Sequence, residues 1–308
     1  MIIATLATAA PAVSEIEASG PEGPLAGTFL DANESDAPVL LILPGSGPTD
    51  RDGNNPLGVK SNSYRLLAQA LAARGISTAR IDKRGLFSSK TAIADANKVT
   101  LADYAADVAS WIKVLKEKSR RPCIWVAGHS EGGLVALAAA DNPGICGLVL
   151  ISTPGRRFDV VVREQLAANP TNTPILAEAD SALDALARGE HVDVSDMHPA
   201  LARGLFNPTV QDFLIDLIAH PAAPMIAKAE KPVLIVNGSK DMQVSAADAQ
   251  ALVAAQPRAK LAWIDGMSHT LKHVEGDNRD ANLATYTNPG RPIEPALVKA
   301  IADFIHIR

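Results

Sequence analysis

The residues most able to do chemistry together are Ser130, Asp241 and His269. Ser130 lies in Gly128-His129-Ser130-Glu131-Gly132-Gly133, between apolar runs at 123–126 and 134–140. That order reads as strand, sharp turn, helix, and Gly128-x-Ser130-x-Gly132 fits a nucleophile elbow. Such a turn strains the serine backbone and pushes its hydroxyl out of the sheet. Glycine is needed where a Cβ would strike the adjoining strand or helix. A serine hydroxyl is a poor nucleophile near neutral pH, so it needs a base to take its proton and an acid to orient that base. Asp241 follows the apolar run 232–236 and His269 follows 261–264, which gives the chain order Ser, Asp, His.

Other candidates fit less well. Of seven histidines, His191, His198 and His220 fall in or near a long helical stretch and His306 in the terminal tail. His129 lies inside the elbow and is expected to point away from the serine. His273 is the rival base, but it lies four residues farther from the strand end. Asp265 is too near His269 and reads as a turn residue. The loop after Ile151 begins STPGRR and offers no nearby carboxylate.

Acyl transfer also needs two N–H donors for the oxyanion. One is expected from the backbone of Glu131, at a helix N-terminus. The other is expected from Pro44-Gly45-Ser46-Gly47-Pro48, after the apolar run 38–43, with Ser46 the first choice and Gly47 the second. This loop lacks both phosphate-binding glycine patterns, so it reads as a donor loop at the C-terminal edge of a sheet. Asp50, Arg51, Asp52 and Arg84 read as structural, two charged loops pairing on one edge. Glu131, Glu178 and Asp180 are the carboxylates that could anchor a substrate amine.

The positioning elements follow from periodicity. Residues 13–17 and 25–30 read as a hairpin around SGPEGP. Runs at 38–43, 123–126 and 147–151 read as buried strands, and those at 76–81, 232–236 and 261–264 as further strands of the same sheet. Helices are expected at 64–74 with Ser63 as cap, from a Thr100/Asp103 capping box to about 118, and from Ser245 with Asp248. A final helix is expected over 295–305, with Leu297, Ile301 and Phe304 on one face. Strands alternating with helices predict a mostly parallel sheet with helices on both faces. Between 154 and 230 this rhythm stops. Amphipathic helices at 174–188 and 208–219 read there as a cap inserted into a core made of 1–153 and 231–308.

The 308 residues are 47% hydrophobic and 20% charged, with net charge −5, an ordinary globular balance. No Lys/Arg cluster suits nucleic acid, and no run is long and apolar enough to span a membrane. Cys123 and Cys146 each open an apolar run and read as reduced core thiols. No Cys/His spacing suits zinc. Residues 1–13 are apolar but carry no Lys or Arg ahead of the apolar part, a weak signal peptide at best. A cytoplasmic location is therefore expected, with export left open. A homo-oligomer is compatible with the sequence.

With GHSEGG at 128–133, LPGSGPTDRDGN at 43–54, DKRG at 82–85, NGSKDMQV at 237–244 and GMSH at 266–269, the chain resembles the α/β-hydrolase superfamily. It looks most like bacterial serine esterases near the dienelactone-hydrolase-like and serine-aminopeptidase-like branches. The resemblance implies an eight-stranded sheet with one antiparallel strand near the start, a cap, and no metal or cofactor. It casts Ser130 as nucleophile, His269 as base and Asp241 as orienter. Many members carry His-Gly before the donor loop where this chain has Pro44-Gly45, which keeps a backbone donor but loses a side-chain one. The expected activity is hydrolysis of short or medium acyl esters of small molecules. A peptidase or amidase using the same residues is the alternative, and a non-catalytic binding protein of the same fold a more distant one.

Overall fold

The computed structural model describes residues 11–307, so most of the apolar N-terminal stretch lies outside the described residues. The hairpin forms as β1 (Ala12–Ser19) and β2 (Pro24–Asp31). Then come β3 (Val39–Leu43), α1 (Ser63–Ala72), β4 (Ser77–Ile81), α2 (Leu101–Ser119), β5 (Ile124–His129), α3 (Glu131–Ala138) and β6 (Ile145–Ile151). Helices α4 (Phe158–Ala167), α5 (Leu176–Ala187), α6 (Gln211–Ala219) and α7 (Ala222–Ala227) intervene before β7 (Val233–Gly238). The chain ends with α8 (Ala246–Ala255), β8 (Lys260–Ile264), the short α9 (Arg279–Leu283) and α10 (Pro295–His306).

The eight strands run in the order β1-β2-β4-β3-β5-β6-β7-β8. β2 is antiparallel to both neighbours, and all other pairings are parallel. Every residue of β3 and β4 is buried, because helices cover both faces. Trp111 of α2, Leu134 of α3 and Leu252 of α8 pack on one face. Leu67 and Leu71 of α1 and Leu297, Ile301 and Phe304 of α10 pack on the other. The C-terminal ends of β3, β5, β7 and β8 therefore open on one edge, where the loops carrying Ser46, Ser130, Asp241 and His269 meet.

The stretch between β6 and β7 has a small core of its own, including Val162, Leu183, Phe206, Leu214 and Ile218. Leu217 of α6 and Ala222 and Ile226 of α7 instead join the main core, so the change of packing begins within α6, ahead of residue 230.

Two expectations are corrected. Cys123 and Cys146 are not free thiols. They form a disulfide with their Cα atoms 5.1 Å apart, because the register Ile124↔Ile145 sets the starts of β5 and β6 side by side. Ser63 does not cap α1. The cap position is Asn62, in a left-handed conformation, and the Ser63 hydroxyl donates to the Thr270 carbonyl at 2.7 Å.

Candidate active site

Ser130 sits between β5 and α3 with φ 55° and ψ −123°, a backbone that costs on the order of 1–3 kcal/mol. Its N–H donates to the Ile151 carbonyl at 2.9 Å and its carbonyl accepts from Gly133 N–H at 3.0 Å. The flanking glycines are forced by contact. A Cβ on Gly128 would lie 2.1 Å from the Gly132 carbonyl oxygen, and one on Gly132 would lie 2.6 Å from that of Leu43. The turn is thus wedged between its own helix and the end of β3. Ser130, Ser46, Tyr64, His129 and His269 all face one cavity of about 140 Å³.

His269 Nδ1 lies 2.9 and 3.0 Å from the two carboxylate oxygens of Asp241. The Asp241 side chain is fully buried and that of His269 nearly so. Gln243 and Val244 donate their N–H groups to Asp241 Oδ1 at 2.8 and 2.9 Å. Burial opposes the charge on Asp241, but His269 and these donors outweigh it and hold the carboxyl below its ordinary range. With Nδ1 committed to Asp241, His269 Nε2 is left for a proton on the cavity side. No hydrogen bond joins Ser130 to His269 among the described residues, and contacts of this kind commonly tighten only when substrate is bound.

His129 does not simply turn away. Its Nε2 donates to the His269 carbonyl at 2.9 Å. A neutral ring then leaves Nδ1 as acceptor for the Tyr64 hydroxyl at 2.8 Å. The Tyr64 oxygen in turn accepts the Gly45 N–H at 3.1 Å. Desolvation, seconded by repulsion from His269, pushes His129 down to about 3, and burial pushes the Tyr64 phenol well up. A neutral chain of hydrogen bonds therefore ties the donor loop to the segment carrying His269. The sequence did not reveal it, because Tyr64 reads only as the first apolar residue of a helix.

The donor loop lies against the elbow, with a Cβ on Gly45 placed 3.3 Å from Ser130 Cβ. Ser46 faces the cavity, whereas Gly47 does not. Glu131 is the first residue of α3, so its N–H is among the donors a helix leaves unused. No acceptor takes the N–H of Ser46 or Glu131 among the described residues.

The remaining charged candidates lie elsewhere. Arg51 Nη2 and Nε both donate to Asp82 Oδ2, at 2.8 and 3.1 Å, joining the two charged loops. Arg84 pairs with Asp107 and Arg80 with Asp52. The rival base His273 is half-exposed and bound to Glu294 at 2.8 Å. Glu131 is buried against Lys83 at 3.2 Å, Asp180 pairs with Arg163, and Glu178 accepts the His198 N–H. Gln243 and Tyr286, hydrogen-bonded to each other at 2.7 Å, do line the cavity. Neither carries a sequence signal, since Gln243 lies in a loop and Tyr286 ends a single 3-10 turn.

The serine aminopeptidase (S33) family model matches residues 57–275. Esterase EstD of Thermotoga maritima is 23% identical over 246 residues, 78% of this chain and 56% of its own length. This chain thus corresponds to little more than half of EstD. The magnesium-chelatase 30 kDa subunit of Rhodobacter capsulatus is 26% identical over 277 residues, 83% of this chain and 88% of that one. Among solved structures, the Pyrococcus furiosus esterase Pf2001 covers 96% of this chain and 93% of its own, with TM-score 0.58 and 15% identity. A thermophilic esterase of Thermogutta terrifontis covers 96% and 98%, with TM-score 0.57 and 17% identity. At such identities these structures speak for the fold alone. The match across residues 57–275, on an eight-stranded sheet with a serine at its elbow, places the chain in the serine aminopeptidase S33 family of α/β hydrolases.

Proposed function

We propose that this chain hydrolyses carboxylic esters with short or medium acyl groups through an acyl-enzyme on Ser130. The observation that carries the reading is His269 Nδ1 held by both oxygens of Asp241 while Ser130 and Ser46 face the same cavity. His269 Nε2 takes the proton as Ser130 Oγ attacks the ester carbonyl. The N–H groups of Ser46 and Glu131 receive the oxyanion. His269 then protonates the departing alcohol, and a water attacking the acyl-enzyme repeats the steps in reverse. Asp241 stays ionised and keeps the imidazole in the right tautomer. A cavity of about 140 Å³ suits a small acyl group.

The same machinery could cleave amides, but an aminopeptidase needs an anion to hold the substrate ammonium. No Asp or Glu is among the described residues lining the cavity, and Glu131, Glu178 and Asp180 are engaged elsewhere. This favours esters. The insertion over 154–230 acts as a cap in this reading. Its Gln165 side chain donates to the Gln243 carbonyl at 2.9 Å, which ties α4 to the loop that bears Asp241. The Cys123–Cys146 bridge supports an oxidising compartment in place of the cytoplasmic location expected from sequence.

The test is a ladder of p-nitrophenyl esters from acetate upward, with matched anilides, given to the wild type and Ser130→Ala. Hydrolysis of the short esters alone, lost in Ser130→Ala, supports the reading. Preference for anilides or aminoacyl substrates would replace it with a peptidase, and an active Ser130→Ala would remove the nucleophile assignment.

A further inference from the structure

Gly45 is gripped at both of its peptide groups. Its N–H donates to the buried Tyr64 hydroxyl at 3.1 Å. Its carbonyl accepts from the buried Lys83 ammonium at 2.8 Å. The same ammonium lies 3.2 Å from Glu131 Oε1, and both side chains are almost wholly buried, at 6% and 3% exposure. Lys83 therefore touches both sources of the oxyanion donors, the loop after β3 and the first residue of α3.

The consequence follows from peptide geometry. The Gly45 carbonyl and the Ser46 N–H belong to one planar trans unit and point in opposite directions. Fixing the carbonyl on Lys83 aims the Ser46 N–H away from Lys83. A glycine has little steric resistance of its own to a flip of the adjoining peptide. If this one turned over, a carbonyl would stand where the donor is needed.

We propose that Lys83 and Tyr64 are positioning residues that clamp Gly45 and so keep the Ser46 N–H aimed at the oxyanion. Lys83 acts through this clamp and not through its charge. The Glu131 carboxylate beside it offsets the field, and the ammonium lies on the carbonyl side of the peptide, opposite the N–H. The clamp rests on the reading of Ser130 as nucleophile and of Ser46 as donor.

The experiment compares wild type, Lys83→Met, Lys83→Met with Glu131→Gln, and Tyr64→Phe on p-nitrophenyl acetate. Active sites are counted by the p-nitrophenol burst, and affinity is measured for a simple alkylboronic acid, which forms a tetrahedral adduct on a serine. The double variant removes the buried charge left by the single one. The clamp predicts kcat per titrated site falling by between about 10- and 100-fold, the upper end being the loss of one donor. Boronate affinity should fall in parallel, with KM within about threefold of wild type. A residue needed only for folding would lower the number of titratable sites and leave kcat per site and boronate affinity unchanged, which overturns the proposal. If neither Lys83 variant folds, Tyr64→Phe decides. Its kcat and boronate affinity must fall together, by at least about threefold, and wild-type values overturn the clamp. An inactive wild type, or an active Ser130→Ala, would instead defeat the underlying esterase reading.

Discussion

His129 lies inside the elbow, yet burial and the neighbouring His269 push its imidazole down to about 3. An unfolded histidine titrates near 6.5. Between those values the unfolded chain carries a proton here that the folded chain does not. The neutral ring therefore contributes stability above about pH 6.5 that is lost as pH falls toward 3, by about 1.4 kcal/mol per pH unit at the steepest. Denaturant unfolding of wild type and His129→Gln between pH 4 and 7 checks this. The variant should show a shallower dependence by about one proton, and equal slopes would contradict it. The grouping of Ser130, Asp241 and His269 on one sheet edge was legible from the sequence because each follows a short apolar strand and they come in the order Ser, Asp, His. Tyr64 and Lys83 were not, because their importance rests on what they touch across 19 and 38 residues of chain. Glu131 could be read in the sequence as an anchor for a substrate amine only because its partner Lys83 could not be seen.

At the scale of elements, burial pattern and capping chemistry carried most of the information. The Thr100/Asp103 and Ser245/Asp248 capping boxes both form, since each is local and needs no distant partner. Ser63 was misread because its hydroxyl has a better acceptor in Thr270, 207 residues away. The insertion was legible as helical, but α4 and α7 were missed. α7 is only six residues long, too short for a periodic signal, and it docks on the main core. α6 also reaches the core, where Asp216 accepts the Leu101 N–H at 2.7 Å in the first turn of α2. Removing that acceptor by Asp216→Ala should cost about 1 kcal/mol. Hydrogen exchange should quicken at the start of α2 while the packed residues of α5 stay protected. Unchanged exchange at Leu101 would show that the contact contributes nothing to holding the insertion.

Over the whole molecule, helices covering both sheet faces leave one edge for chemistry, and the disulfide staples the opposite end of β5 and β6. The sheet class and its one antiparallel strand followed from strand–helix alternation together with the family resemblance. The bridge did not, because two cysteines 23 residues apart give no hint that their strands are neighbours. Closing a loop of that length should stabilise the fold by about 3 kcal/mol. Thiol titration of the denatured, unreduced protein should find no free thiol, and Cys123→Ser with Cys146→Ser should melt several degrees lower. Two titratable thiols would contradict the bridge.

The most direct measurement on the central claim is rapid quench of wild type with p-nitrophenyl acetate, followed by intact-mass analysis and peptide mapping. An acetyl group should appear on Ser130 within the burst, decay at the steady-state rate, and never form in Ser130→Ala. An acetyl adduct on another residue that turns over at that rate, or a burst that survives in Ser130→Ala, would contradict the account.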